Sequence, residues 1–204
     1  MPDQFIPIAE DNGYIVQLGE WVIRQALAEL SSWPAHLRVA VNLSPTQLRT
    51  SALVTTVMQA LASSSIAPNR LELEITENVL MQENEVVLST LHRLRAMGVR
   101  IALDDFGTGY SSLNYLRSFP FDKIKIDRCF VKDIDNNEDC RAIVRAVTAL
   151  ASSLGMDTTA EGVENPEQLS RLEQEGCIEV QGYYFSGARA PETLAELQGA
   201  RSVA

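Results

Sequence analysis

One pattern repeats six times along the chain and constrains its fold more than any other feature. Each repeat has a short run of β-favouring residues, a polar or glycine-bearing loop, and a stretch with the apolar spacing of a helix. The six runs are Arg38–Leu43, Leu71–Thr76, Val99–Asp104, Phe121–Asp127, Met156–Gly162 and Ile178–Tyr183. Strands that alternate with helices indicate a parallel sheet with right-handed crossovers. The pattern therefore predicts an α/β protein.

Helical spacing of apolar residues predicts the connecting elements. The predicted helices cover 3–33, with a break at Gly13, and lie around 51–63, 83–97, 111–118, 138–154, 165–175 and 192–200. No linker of low complexity interrupts the pattern. We therefore expect residues 1–204 to form a single domain.

Side chains alternate along the runs between an apolar face and a polar face. In the second run Leu73 and Ile75 share one face, whereas Glu72 and Glu74 share the other. A doubly wound sheet is buried on both faces, so its strands are nearly continuous apolar runs. A sheet closed into a barrel, with helices outside and polar groups inside, accounts for the alternation. We predict a TIM-like (β/α) barrel.

The predicted barrel is incomplete. The chain offers about six of the eight strands of such a barrel, and it opens directly in a helical pattern. Roughly two βα units are therefore expected to be missing on the N-terminal side. The runs Arg38–Leu43 and Ile178–Tyr183 would then be unpaired edges, and exposed edges invite pairing with another chain. We expect a dimer or higher oligomer, with exchanged segments as one form of it.

Composition excludes several classes of function. The formal charge is 17 − 27 = −10, and no basic cluster stands out, which argues against binding to DNA, RNA or an anionic membrane. The three cysteines match neither a disulfide framework nor a zinc site. No signal peptide or membrane-spanning run is present in the sequence. The predicted location is the cytoplasm.

Polar residues recur where the predicted strands end, and active sites of such barrels lie at the C-terminal ends of strands. Taken singly, each of these residues could cap a helix or lie in solvent. Together they predict a site. The set comprises Asn42, Glu74, Glu77, Asp104, Asp105, Lys125, Asp127, Glu161, Glu164 and Gln181. Carboxylate and amide oxygens without histidine or cysteine suit Mg²⁺ or Mn²⁺ rather than zinc.

The adjacent carboxylates of Asp104 and Asp105 allow two interpretations. The pair could cap the next helix or shape a turn. It could also bind a divalent cation, which would offset the repulsion between two neighbouring charges. Asp104 is central in the set and is suited to bridge two ions, and Lys125 to orient a water or neutralise developing charge. These residues predict a metal-dependent phosphoester hydrolase.

Six segments of the chain closely resemble the motifs of the EAL-domain family, in that family's order. They are Val41–Ser44, Glu72–Glu77, Asp104–Leu113, Lys123–Asp127, Ala160–Glu164 and Gln181–Tyr183. The family comprises bacterial phosphodiesterases that cleave cyclic di-GMP to linear pGpG. The resemblance covers essentially the whole chain. It implies the fold, the substrate and a two-metal site with Mg²⁺ or Mn²⁺.

The resemblance also implies roles for individual residues. Asn42, Glu74 and Asp104 would hold one ion, and Asp104, Asp105 and Glu161 the other, with Lys125 contacting the nucleophilic water. Lys125, Glu161 and Asp105 are thus the expected catalytic residues. Gln181 would line the site, Asp127 would support it, and Glu77 would brace the loop Phe106–Ser111, to which Gly107 and Gly109 give the backbone freedom of a mobile loop. In the family this loop couples the site to a dimer interface formed by the neighbouring helices, which implies a homodimer.

Two departures from the family pattern leave a second function open. The Glu-Ala-Leu tripeptide that names the family is absent, and with it a carboxylate of the first ion. The segment Ser186–Pro191 differs from the family's Ser-Arg-Pro or Ser-Lys-Pro, which affects the expected guanine pocket. The alternative to an active phosphodiesterase is an inactive module that binds cyclic di-GMP or mediates dimerisation and signalling.

Overall fold

The computed structural model describes residues 2–79, 85–107, 116, 119 and 121–193, and its centre is one sheet of six parallel strands in the order β1 to β6. The strands are β1 Val39–Asn42, β2 Leu71–Thr76, β3 Arg100–Phe106, β4 Lys123–Ile126, β5 Asp157–Ala160 and β6 Glu179–Val180. Strands that follow one another in the chain are neighbours, so the sheet curves as half of a barrel. The prediction of an incomplete TIM-like barrel is confirmed.

Helices cover the outside of the sheet. They are α1 Pro2–Asp11, α2 Tyr14–Leu30, α3 Pro45–Leu48, α4 Ala52–Ser64, α5 Glu85–Ala96, α6 Arg128–Lys132, α7 Glu138–Ser153 and α8 Pro166–Gln174, with short 3-10 turns at Pro68–Arg70, Glu77–Val79 and Pro191–Thr193. The predicted break at Gly13 is present, since this residue separates the first two helices with a φ of +79°. The helices predicted around 111–118 and 192–200 lie mostly outside the described residues.

The sequence pattern missed two short helices, α3 and α6. Each is about one turn long, too short for apolar periodicity to appear. Each begins at a capping side chain that follows a strand. Ser44 accepts a hydrogen bond from Thr46 N, and Asp127 accepts one from Cys129 N. The start of each of these two helices is therefore indicated by its capping residue, whereas the apolar spacing of the sequence does not reveal it.

The predicted alternation of side chains is confirmed. On the outer face Leu73, Ile75 and Ile124 are fully buried, and they pack in one hydrophobic core with residues of the helices such as Leu27 and Leu91. The polar side chains point to the concave inner face. Burial of the apolar face holds the strands in register, because a slip by one residue would exchange the two faces.

The prediction of one domain over residues 1–204 stays a prediction. Among the described residues, no helix is both long and apolar enough to cross a membrane.

Candidate metal centre

The inner face of the half-barrel carries two layers of charged side chains. The lower layer lies nearer the N-terminal ends of the strands and contains Arg38, Glu72, Arg100, Lys123, Asp157 and Glu179. The upper layer lies nearer the C-terminal ends and contains Glu74, Asp104, Asp105, Lys125 and Glu161. Residues two apart on one strand occupy the same face in successive layers.

The lower layer is balanced in charge, with three cations and three carboxylates. Lys123 Nζ lies 2.8 Å from Glu72 Oε1 and 2.6 Å from Glu179 Oε2. Arg100 Nε lies 3.1 Å from Glu72 Oε2, and Arg100 Nη2 lies 2.6 Å from Asp157 Oδ2. Each buried charge thus has an opposite partner, which is what burial of charge requires. We assign this layer a structural role.

The upper layer is centred on Lys125. Its Nζ atom lies 2.8 Å from Glu74 Oε2, 2.9 Å from Asp104 Oδ1 and 2.6 Å from Glu161 Oε1. The Lys125 side chain is only 5% exposed. The contact with Glu74 is a hydrogen bond, and all three are ion pairs, so the lysine is held among three carboxylates supplied by three other strand ends.

A local irregularity in β3 brings two adjacent carboxylates to this layer. Neighbouring residues of a regular strand point to opposite faces. Here the pairing of β3 with β4 shifts register between Leu103 and Phe106, and Asp105 has a φ of +55°. Carboxylate oxygens of Asp104, Asp105 and Glu161 lie within 4.8 Å of one another as a result. The strand runs to Phe106, two residues beyond the predicted end at Asp104, and this extension contains the irregularity.

The charge of the upper layer fits divalent cations. Four carboxylates face one ammonium, which leaves a formal charge of −4 + 1 = −3. Carboxylates packed this closely repel one another unless protons or cations neutralise them. Oxygen donors without histidine or cysteine are those that Mg²⁺ and Mn²⁺ prefer. The balanced lower layer, built from the same strands, has no such excess.

Burial and charge shift the pKa values of the upper layer. Burial raises the pKa of Glu74 and of Glu161, and the ion pairs with Lys125 only partly offset this. Burial, Asp104 and Asp127 together raise the pKa of Asp105. Burial alone would lower the pKa of Lys125, but the carboxylates around it outweigh burial and raise its pKa. Lys125 is therefore a charged ammonium, whereas Glu74, Asp105 and Glu161 hold their protons more tightly than exposed carboxyl groups do.

Three other predicted residues lie beside this layer. Asn42 is the register partner of Glu74 and has an exposed side chain. Gln181 Nε2 donates to Glu161 Oε1 at 2.7 Å. Asp127 caps α6 through Cys129 N at 2.9 Å.

Glu77 is buried and accepts a hydrogen bond of 3.2 Å from Gly107 N. This contact places Glu77 at the start of the loop Phe106–Ser111. Glu164 has an exposed side chain and is not among the acidic residues whose oxygens converge in the described part of the chain. Gly109 lies outside the described residues.

Sequence reasoning missed the lower layer as a unit. Glu72 and Lys123 stood on the predicted polar faces, but nothing in the sequence says which opposite charge each meets. The sequence signal that could have indicated this layer is the equal number of acidic and basic residues that precede the site residues on the same strand faces. A cavity of about 410 Å³ opens over both layers, and its lining includes Arg38, Lys125 and Gln181.

Known proteins resemble this chain in sequence and in fold. The EAL domain family model matches residues 1–188. The cyclic di-GMP phosphodiesterase NbdA of Pseudomonas aeruginosa is 45% identical over 201 residues, which cover 97% of this chain and 25% of NbdA. The chain spans about a quarter of the length of the curated relatives it matches.

Two solved structures share the fold. The phosphodiesterase PaMucR, from Pseudomonas aeruginosa, in its c-di-GMP complex has a TM-score of 0.90 at 42% identity, over 95% of this chain and 80% of that one. BlrP1 of Klebsiella pneumoniae, in a manganese and cy-diGMP complex at pH 6, has a TM-score of 0.82 at 32% identity, over 91% of this chain and 47% of that one. The family model over residues 1–188, the identities to these relatives and the TM-scores lead to one conclusion: the chain belongs to the EAL domain family.

Proposed function

We propose that this chain hydrolyses cyclic di-GMP to linear pGpG with two divalent cations, Mg²⁺ or Mn²⁺. The observation that carries the proposal is the excess of negative charge in the upper layer, where oxygens of Asp104, Asp105 and Glu161 converge within 4.8 Å. Relatives named as cyclic di-GMP phosphodiesterases, and a neighbour solved with manganese and the dinucleotide, support this choice of substrate and metal.

The proposed ligands divide into two overlapping sets. Asn42, Glu74 and Asp104 would hold one ion, and Asp104, Asp105 and Glu161 the other. When bound, such a pair supplies a hydroxide from water and stabilises the attacking and leaving oxygens of a phosphoryl displacement. Water would add across one phosphodiester: the bond from phosphorus to the 3′ oxygen breaks, and that oxygen takes a proton. The product then has a free 3′ hydroxyl and a 5′ phosphate.

Lys125 would act as a charged donor rather than as a base. Its pKa is raised by the surrounding carboxylates, so it has no free lone pair to accept a proton from water. An ammonium beside a developing negative charge stabilises the transition state more than the ground state. Gln181 would keep one Glu161 oxygen oriented through the 2.7 Å hydrogen bond. Asp127 and Glu77 would hold the backbone on either side of the site.

Binding without cleavage is the second candidate function. Residues 1–204 contain no Glu-Ala-Leu tripeptide, so within these residues the first ion has only Asn42, Glu74 and Asp104 as proposed ligands. A weaker first ion would leave the dinucleotide bound but uncleaved, because the two-metal mechanism needs both ions.

The test is metal-dependent conversion of cyclic di-GMP to pGpG, followed by chromatography. The matched pair of variants is Glu74→Gln in the upper layer and Glu72→Gln in the lower layer. Turnover by the wild type and by Glu72→Gln, with at least about 100-fold loss in Glu74→Gln, supports the proposal. Binding of cyclic di-GMP without turnover supports the second candidate. Neither binding nor turnover, in a folded chain saturated with Mn²⁺, refutes both.

The proposal extends to assembly, extent and location. We propose one domain over residues 1–204 and a homodimer through the helices beside the loop Phe106–Ser111, with segment exchange at the edges β1 and β6 as a variant. Sedimentation at micromolar concentration tests the dimer, and a monomer there contradicts it. The free thiols of Cys129, Cys140 and Cys177 support a reducing, cytoplasmic location.

A further inference from the structure

The turn that follows β1 is held by contacts from three helices outside the site. Asn42 is the last residue of β1, and Leu43 N continues the sheet by donating to Glu74 O at 2.8 Å. Ser44 then starts α3 as its N-terminal cap. The side chain of Asn42 is exposed, so packing does not fix it. Its position depends on the backbone on either side.

Within α3 the cap is reciprocal. Ser44 Oγ accepts from Thr46 N at 3.2 Å, and Ser44 N donates to Gln47 Oε1 at 3.1 Å. The side chain of Gln47 is buried and lies directly against Gly19 of α2. A Cβ atom at Gly19 would come within 1.8 Å of Gln47 Nε2. The glycine in α2 is thus needed for Gln47 to reach the cap.

A third contact comes from α1. Ser44 Oγ donates to Glu10 Oε1 at 2.5 Å. The Ser44 hydroxyl therefore donates to Glu10 and accepts from α3. Both residues are only half-buried, so the bond is not required to satisfy a buried group. Its effect is geometric, because it ties α1 to the turn two residues beyond Asn42.

We infer that Glu10 is a positioning residue for the first metal ion and acts through Ser44 on Asn42. The inference rests on the proposed function, since it takes Asn42 as a ligand of that ion. Residues that orient a metal ligand without touching the metal set the affinity of the site. Glu10 holds the turn at one end, and the pairing of β1 with β2 holds it at the other.

The test is Mn²⁺ binding, followed through the electron paramagnetic resonance signal of free Mn²⁺. Glu10→Ala loses the acceptor, and Glu10→Asp keeps the charge but falls short of the hydroxyl. Both substitutions should lower the affinity for the Mn²⁺ ion assigned to Asn42 by about 3- to 10-fold, which corresponds to the loss of one hydrogen bond. Glu10→Gln keeps an oxygen at the same reach and should stay within about 2-fold of wild type. Asp11→Ala, one residue further on α1 and exposed, is the matched control.

A double-mutant cycle separates positioning from general destabilisation. If Glu10 acts through Asn42, Glu10→Ala should change Mn²⁺ affinity by less than about 2-fold when Asn42→Ala is already present. The inference is overturned if the fold-losses in Mn²⁺ affinity of Glu10→Ala and Asn42→Ala multiply in the double variant. It is also overturned if Glu10→Ala and Glu10→Asp both bind Mn²⁺ with wild-type affinity. Unchanged affinity in Asn42→Ala overturns it as well. If Glu10→Ala does not fold, the comparison of Glu10→Asp with Glu10→Gln decides.

The two proposals fail in different ways. A wild-type chain that neither binds Mn²⁺ nor hydrolyses cyclic di-GMP refutes the proposed function and the inference together. A wild-type chain that does both, with all Glu10 variants unchanged, refutes the inference alone.

Discussion

Lys123 and Lys125 project from the same face of β4 into two different charge environments. Lys123 contacts Glu72 and Glu179 in a layer whose charges cancel. Lys125 contacts three carboxylates in a layer with a formal excess of −3. The side chains are two residues apart and almost equally buried. Substitutions of the two lysines therefore separate the demands of the fold from those of the site.

Lys125→Met should abolish hydrolysis and destabilise the metal-free chain. Removal of the ammonium leaves Glu74, Asp104 and Glu161 close together without a counter-ion, which costs about 3–5 kcal/mol for a buried pair. Loss of a charged donor at the reacting phosphate lowers kcat by about 100-fold or more. Urea unfolding in EDTA and the pGpG assay measure the two effects. Lys132→Met, on the exposed side of α6, is the control and should match wild type.

Lys123→Met should destabilise the chain but spare the chemistry. Glu72 loses one buried partner and keeps Arg100, so we expect the free energy of unfolding to fall by about 3–5 kcal/mol. At a temperature where the variant is folded, kcat should stay within about 3-fold of wild type, because no group of the upper layer changes. A kcat as low as that of Lys125→Met would mean that the lower layer takes part in the reaction.

The alternation of side chains made most of this arrangement predictable. A strand that is buried on one side must put every second residue on the other, so Glu74 and Lys125 could be assigned to the inner face from sequence alone. The polar residues at the C-terminal ends of the strands were then the candidate site residues. This assignment needed only residue type and spacing, because burial of the apolar face fixes which side chains point inward.

The irregularity at Asp105 could not be predicted in the same way. Its left-handed backbone and the register shift against β4 depend on how β3 pairs with its neighbour. Aspartate tolerates this conformation better than most residues, but its presence does not demand it. Which acid meets which base in the lower layer depends likewise on strand stagger. The cap at Ser44 was readable, since serine followed three residues later by glutamine is a capping box.

Removal of metal should invert the pH dependence of stability. Burial raises the folded pKa of Glu74 and Glu161 above the ordinary value of 4.5, so the folded state holds these protons more tightly. The contribution of Glu74 and Glu161 to the free energy of unfolding is therefore complete below pH 4.5 and is lost as the pH rises through their folded pKa values. Unfolding free energy in EDTA should therefore fall as the pH rises from 4.5 toward neutrality.

With saturating Mn²⁺ the free energy of unfolding should instead increase with pH over the same interval, because metal binds the ionised carboxylates of the folded state.

Glu179 affects the pH dependence of stability in the opposite sense to Glu74. Burial alone would raise the pKa of Glu179, but the contacts with Lys123, Thr159 and Arg38 together outweigh burial and lower it, so stability is lost as the pH falls below 4.5. Glu74→Gln should flatten the decline in EDTA. Parallel pH profiles for wild type and Glu74→Gln would contradict the assignment.

Gly107→Ala should disturb the loop beside the site, and Gly155→Ala provides the matched control. Both glycines have positive φ, +95° and +71°, so both substitutions incur about 1–2 kcal/mol of backbone strain. A Cβ atom at Gly107 would lie 2.8 Å from Phe130 Cε2, whereas one at Gly155 meets nothing within 4 Å. The extra effect of Gly107→Ala therefore reports the contact with Phe130.

We expect Gly107→Ala to lower both stability and hydrolysis beyond the control, because relief of the clash pulls Gly107 N away from Glu77 Oε2, 3.2 Å distant. Adding Phe130→Leu, which removes the ring, should restore the hydrolysis rate more than it restores stability. Urea unfolding and pGpG formation, measured on these three variants and on the wild type, check this. Equal losses in Gly107→Ala and Gly155→Ala would mean that backbone strain alone acts, and that the bond between Glu77 and Gly107 does not couple this loop to the site.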